Sequence, residues 1–446
     1  RMFGKRVGLL AGLMAATAPI LVIESKLAIT DATLTFHLVA CQFSLWELAK
    51  RPSKWIAGVF WVALAAATLT KGPVGPLLIA LAGLVSWWWG GPTECWRRLR
   101  WKWGLAGFTL LTAPWFIAVG IISKGDFYRV AMGYHVIRRM TTGIETHGGF
   151  PGYYLVGSLG VFYPWVALLP VAIFAAWSRR RSNPALGFVL GWVVGPWIFL
   201  ECISTKIIHY FLPAYPACAL LAAWAVDTVA RSEVNLRRWP LGRVSIALLT
   251  GTGIGATVAL LAGSFVLPPG LRWPCVALAL VMGPGTLYAM ERFQAGATLR
   301  ATQSLVATWA ALLLIAWTWL LPAAEPYRIA PIVGRRLATL VKAEKAAPMM
   351  GAFKPPDVIY YLGQPATVLE SRPRLREQAR ELGLIAAPLT PGEYKVLQKD
   401  PDLVIEVRDT IEGFNVERFR NDTIHLVLIR PSASALARQS KKSNVQ

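Results

Sequence analysis

The sequence is short of acid. Its 446 residues hold 24 Asp and Glu against 46 Lys and Arg, a formal net charge of +22. Charged residues of both signs make up only 16% of the chain, too few for an ordinary soluble domain of this length. Cysteine is scarce as well. Cys41, Cys95, Cys202, Cys218 and Cys275 are scattered without metal-ligand spacing, which excludes a zinc ribbon or a disulfide framework. Four of them sit in or beside apolar runs and read as small apolar fillers. No line of acids runs along the apolar stretches, as a proton relay would need; Glu201, near the end of one, is the candidate there.

What the chain has in abundance is apolar sequence. Hydrophobic residues are 55% of it and mean hydropathy is +0.47. Repeated runs long enough to cross a bilayer make it a polytopic membrane protein. Eleven spans are expected, at about 7–23, 32–49, 55–70, 74–90, 104–121, 154–177, 186–202, 211–229, 244–267, 273–290 and 304–322. Alternate connections, beginning with 1–6, carry nineteen Lys and Arg; the opposite set, without the tail, carries eight. The asymmetry puts Arg1, Arg97, Arg179 and Arg237 in the cytoplasm. The positive charge is therefore chiefly a topology signal, with some attraction to anionic lipid, and it does not mark a nucleic-acid binder. An odd number of spans from a cytoplasmic start leaves the tail outside.

Residues 323–446 change in composition. Helical patterns (RRLATLVKAEK, PDVIYYLG, RLREQARELG) alternate with strand-like runs (APMMGAF, ATVLE, DLVIEV, TIHLVLI), as in a small soluble α/β domain. Its last residues, RQSKKSNVQ, have a disordered composition.

One long polar stretch interrupts the membrane half, 123–154. Phe127, Val130, Ala131, Tyr134 and Ile137 recur at helical spacing, with Arg129, Arg138 and Arg139 at other positions, which suits a helix lying on a membrane surface. The pattern then breaks into Gly, Thr and Pro around Glu145 and His147. A solvated connector is the alternative; long ordered loops are more often functional. On the same expected side lie Asp31 (ESKLAITDATLTF), Lys71 (LTKGPVGPLL), and Lys206, His209 and Tyr210 (ECISTKIIHYFLPAYP). Lys71 occupies a break too short for a real loop, where Gly72, Pro73 and Gly75 let the backbone turn and approach a ligand. A lysine there suits a phosphate; a lysine snorkelling from a helix end is the bland alternative. Lys206 and His209 have the same alternative as interfacial residues, and Asp31 could be a helix N-cap. Several cations, an imidazole, a carboxylate and a phenol on one side suit a lipid with an anionic head, phosphate above all.

The order of these motifs resembles the bacterial GT-C membrane glycosyltransferases related to the aminoarabinose transferase of lipid A and to protein O-mannosyltransferases. TKGPVGPLL, THGGFPGYY, STKIIHYFLPAYPACALL and ESKLAITDATLTF carry the resemblance, over most of residues 1–322. It implies a mainly α, GT-C membrane core over 1–322 and a periplasmic α/β domain over 323–446, in the bacterial inner membrane. It implies a polyprenyl-phosphate sugar donor and inverting transfer to a lipid or protein acceptor outside the cytoplasmic membrane. Matched motif by motif, Lys71 would hold the donor phosphate and Tyr210 would contact it, with Lys206 and His209 alongside. Asp31 would be a second carboxylate of the site, and His147 would match a loop histidine able to help bind a divalent metal ion. Arg138 and Arg139 are added as donor-phosphate ligands on the residues alone. The family pattern opens with two further spans around an outer loop that holds the principal acid. This sequence departs from it, opening at Arg1 rather than Met, so the expectation is a fragment without its main base. Two other readings compete. A polyprenyl-linked lipid flippase or transporter would want internal repeats and broken spans with midplane polar groups; a binding relative that kept the fold would not catalyse transfer.

Overall fold

The protein is described here by a computed structural model covering residues 2–131, 149–232, 239–369, 371–415 and 420–435. It divides into two units, Arg1–Ala316 and Trp317–Gln446.

The first unit is helical throughout its described residues. Each expected span has a helix or a broken pair of helices at its place in the chain. Among the described residues of the chain, six helices are long and apolar enough to cross a membrane: Trp101–Ile122, Pro184–Cys202, Ile208–Ser232, Pro240–Val266, Pro269–Gln294 and Thr298–Tyr327. Lys5–Ala16 and Pro19–Lys26 make a seventh if counted as one span, bent by 59°. The bend falls at Pro19, which takes the first helical position of the second piece and cannot continue the first. Thr30–Lys50 and Lys54–Lys71 are long enough but more polar, and Val74–Trp88 is shorter. The expected 154–177 span is broken into Tyr153–Val161, a 3₁₀ turn at Trp165–Leu168, and Leu169–Arg179.

Lipid replaces water as the solvent of the outward faces. Trp101–Ile122 buries almost nothing within the unit, and Leu110, Ile117 and Ile121 stand exposed on it. The inward contacts use small residues so that backbones approach. On the Pro184–Cys202 helix, a Cβ at Gly191 or Gly195 would lie 2.5 Å from a backbone atom of Ser86 or Leu81. That contact seats this helix on Val74–Trp88. Two buried carboxylates were passed over in the sequence. Glu47 lies near the end of Thr30–Lys50, within 3.7 Å of Lys50, and Asp227 is held by Arg6 and Arg231.

The second unit carries a five-stranded sheet of order β2-β1-β3-β5-β4, with β1 Ala347–Met350, β2 Thr367–Val368, β3 Ile385–Leu389, β4 Leu403–Asn415 and β5 Arg420–Pro431. β1 runs parallel to β2 and β3; β5 is antiparallel to β3 and β4. Alternation along β5 sends Ile424, Leu426 and Leu428 to one face with the Ile329–Glu344 helix. Val427 and Ile429 go to the other face with Leu375 and Ala379 of Arg372–Leu382. The three helices expected from the patterns and four of the strands fall where the patterns put them, while a further helix, Pro391–Leu397, was not among the expected runs. The central strand β3, IAAPL, was not among the expected runs. All five of its residues are buried, so it shows no alternation, and Pro388 argues against a central strand. The structure tolerates Pro388 because the β1 register ends at Ala386, leaving only β5 beside it.

Candidate active site

The site is built from helix ends. The Lys54–Lys71 helix stops at Gly72, which has φ +63°, a conformation that favours glycine. The chain turns through Pro73 and starts the next helix at Val74. Gly75 keeps the turn tight, since a Cβ there would meet the Ala67 side chain at 2.8 Å. Lys71 is thus the last residue of its helix, where the macrodipole favours a cation. Asp31 lies in the first turn of Thr30–Lys50, where it favours an anion. The N-cap of that helix is Ile29, with no side-chain cap bond, so the alternative reading of Asp31 as the cap does not hold.

Asp31 instead forms an ion pair. Lys71 Nζ donates to Asp31 Oδ1 at 2.6 Å, with the Asp31 side chain only 8% exposed and that of Lys71 29%. The same ammonium stands 5.1 Å from the centroid of the Tyr210 ring, a cation–π distance. Tyr210 belongs to a 3₁₀ segment, Ile208–Ala214, that packs against both Pro19–Lys26 and Thr30–Lys50. One residue earlier, His209 Nδ1 lies 3.7 Å from Glu24 Oε1. Glu24 is buried near the end of Pro19–Lys26, and its Oε2 has no hydrogen-bond partner among the described residues. Asp31, Lys71, His209 and Tyr210, far apart in sequence, are therefore one cluster, with Glu24 as the member that sequence reasoning left out. Its only signal was position: an acid beside Asp31 in the same short connection.

Lys206 is placed differently. Its side chain is 4% exposed, and its Nζ donates at 2.6 Å to Glu201 Oε2 and at 2.7 Å to the Glu201 carbonyl. The Glu201 carboxylate also accepts from the backbone N–H of Gly152 at 3.1 Å and of Tyr154 at 3.3 Å, and from Trp197 Nε1 at 3.2 Å. Arg138, Arg139, Glu145 and His147 lie outside the described residues, and with them most of the surface helix expected over 127–137. Its described start, Asp126–Tyr128, folds back on the preceding helix, with Phe127 5.4 Å from Trp115 and Tyr128 donating to the Phe116 carbonyl. Among the described residues no group of three or more His, Cys, Asp and Glu could hold a metal ion.

Chemically, the cluster presents an ammonium with three N–H donors, one of which serves Asp31, flanked by an aromatic face, an imidazole and two buried carboxylates. Such a set can receive an anionic group on the cation and take a proton on a carboxylate.

Solved structures share this fold. ArnT from Cupriavidus metallidurans, crystallised with undecaprenyl phosphate, superposes with a TM-score of 0.69 over 95% of this chain and 80% of that one, at 21% identity. Its apo form gives 0.68 over 95% and 79%, at 20% identity. The fold is that of the GT-C membrane glycosyltransferases. Sequence likeness points to similar proteins. Residues 2–124 match the family model described as dolichyl-phosphate-mannose-protein mannosyltransferase. The undecaprenyl phosphate-alpha-4-amino-4-deoxy-L-arabinose arabinosyl transferase of Pectobacterium atrosepticum is 29% identical over 178 residues, 39% of this chain and 31% of that protein. That of Aeromonas salmonicida is 31% identical over 241 residues, 51% of this chain and 42% of that protein. The chain is a multi-span membrane protein similar in sequence to these arabinosyl transferases, and it spans less than half the length of the curated relatives it matches.

Proposed function

We propose that the chain is the core of a membrane glycosyltransferase that moves a sugar from a polyprenyl-phosphate donor to a lipid or protein acceptor. The observation that carries this reading is the Lys71–Asp31 pair under Tyr210, in a fold shared with a protein crystallised on undecaprenyl phosphate. The acceptor hydroxyl attacks the anomeric carbon, the bond from that carbon to the phosphate oxygen breaks, and the configuration inverts. Polyprenyl phosphate leaves as an anion. Lys71, with Tyr210 and His209 beside it, stabilises the charge that develops on the leaving oxygen. A carboxylate takes the proton of the acceptor, and Asp31, oriented by Lys71, is the secondary carboxylate at that position. Arg138 and Arg139 would add cations from the outer loop, and His147 would help hold a divalent metal ion if one is used. The names of the relatives, which print an undecaprenyl-phosphate-linked aminoarabinose, support the donor class, and lipid A is the acceptor we would test first.

The charge asymmetry of the connections supports placing this face, and the α/β unit, on the periplasmic side of the bacterial inner membrane. The test is direct. The full-length protein in proteoliposomes should transfer labelled sugar from a polyprenyl-phosphate donor to lipid A or a glycolipid acceptor. Vectorial movement of the donor lipid without any new glycosidic bond would replace this reading by the transporter one.

A further inference from the structure

We propose that Glu201 and Lys206 form a latch that positions the site, and that Lys206 serves Glu201 rather than the donor phosphate. The latch joins three pieces of chain. Glu201 ends the Pro184–Cys202 helix, which Gly191 and Gly195 seat tightly on its neighbour. Its carboxylate gathers the N–H groups of Gly152 and Tyr154 from the turn that leads out of the long polar stretch into the Tyr153–Val161 helix. It also holds Lys206, which precedes Tyr210 by four residues. The lysine stem is covered by that same turn, since a Cβ on Gly149 would come within 2.8 Å of Lys206 Cδ.

The electrostatics fix the assignment. A lysine side chain 4% exposed keeps its charge only if that charge is paired. Two of its three N–H donors are spent on Glu201. The carboxylate in turn accepts from four N–H groups, on Gly152, Tyr154, Trp197 and Lys206, so Glu201 is satisfied without a ligand. Lys71 differs on each count. It is 29% exposed, with one donor on Asp31 and an aromatic face beside it. The latch therefore sets where Tyr210 and His209 stand over Lys71 and Glu24, and Glu201 acts as a positioning residue.

The role in transfer rests on the glycosyltransferase reading; the latch itself does not, and the experiment separates them. Four forms of the full-length protein are compared in nanodiscs: wild type, Glu201→Gln, Lys206→Met, and the double variant. The first readout is hydrogen exchange of the peptide spanning 149–156, which needs no activity. Glu201→Gln should speed its exchange by about tenfold or more while distant helices keep wild-type rates. The second readout is binding of undecaprenyl phosphate together with kcat and KM for sugar transfer. Glu201→Gln strands a buried ammonium and should lower kcat by about tenfold or more. The double variant removes both charges and should recover most of that loss, with phosphate-lipid binding within about threefold of wild type. Unchanged exchange in Glu201→Gln would overturn the latch. Loss of lipid binding by about tenfold or more in both Lys206→Met and the double variant, with Glu201→Gln near wild type, would make Lys206 a phosphate ligand and also overturn it. A wild type that transfers no sugar would overturn the function proposed above, and the exchange readout would still decide the latch.

Discussion

Replacing Lys71 with Met removes the ammonium and keeps most of the apolar stem. Two losses follow, and the structure lets them be separated. The first is local: Asp31, 8% exposed, is left without the partner it holds at 2.6 Å. Because Lys71 is itself 29% exposed, water can reach the vacated position. The cost to stability should then sit near the value of one charge-assisted hydrogen bond, about 1.5–3 kcal/mol, and below that of a fully buried pair. The second loss is functional. A contact of the same strength to the donor phosphate, made in the transition state, corresponds to about a tenfold to hundredfold fall in transfer. Asp31→Asn separates them. It removes the carboxylate that competes for Lys71, so undecaprenyl phosphate should bind at least as tightly as to wild type, while transfer falls because the secondary carboxylate of the site is gone. The double variant Asp31→Asn/Lys71→Met should regain stability, having no stranded charge, yet bind the phosphate lipid as poorly as Lys71→Met. The assays are thermal unfolding followed by size exclusion, lipid binding by fluorescence, and initial rates in proteoliposomes. Full recovery of lipid binding in the double variant would mean that Lys71 does no more than hold Asp31, and the phosphate assignment would fall.

Two further predictions concern the scaffold. Membrane-impermeant labelling of single cysteines should mark residues within 323–435 from outside and residues within 91–103 only after the membrane is opened; the reverse pattern would put the site on the cytoplasmic face and overturn the periplasmic assignment. Gly191→Leu puts a side chain where a Cβ already lies 2.5 Å from the Ser86 backbone, and should destabilise the protein by about 1–3 kcal/mol or more, read as a lower unfolding temperature. An unfolding temperature equal to wild type would mean the two helices are not held at that distance.

The sequence determined the class and the order of parts. Runs of twenty apolar residues have few fates, and a bilayer is the commonest of them. Apolar runs therefore placed the eleven expected spans, though not the breaks at Pro19 and within 154–177, and the change of composition announced the α/β unit with four of its five strands. It also put Asp31, Lys71, His209 and Tyr210 on one side, since topology sorts helix ends by side. Local pattern failed where burial is complete. β3 has no exposed face to alternate with, and its membership in the sheet is decided by β1 and β5, not by IAAPL itself. Above all, sidedness does not say which charges meet. Lys71 and Lys206 read alike in the sequence, each a lysine beside a span end. The tertiary structure separates them by partner and by depth: one pairs with Asp31 beside an aromatic ring, the other is buried on Glu201. Glu24 joins the first group only because a bent helix brings it to His209. Pairing of charges depends on distances of a few ångströms between helix ends remote in the chain, and no residue spacing within one segment encodes them.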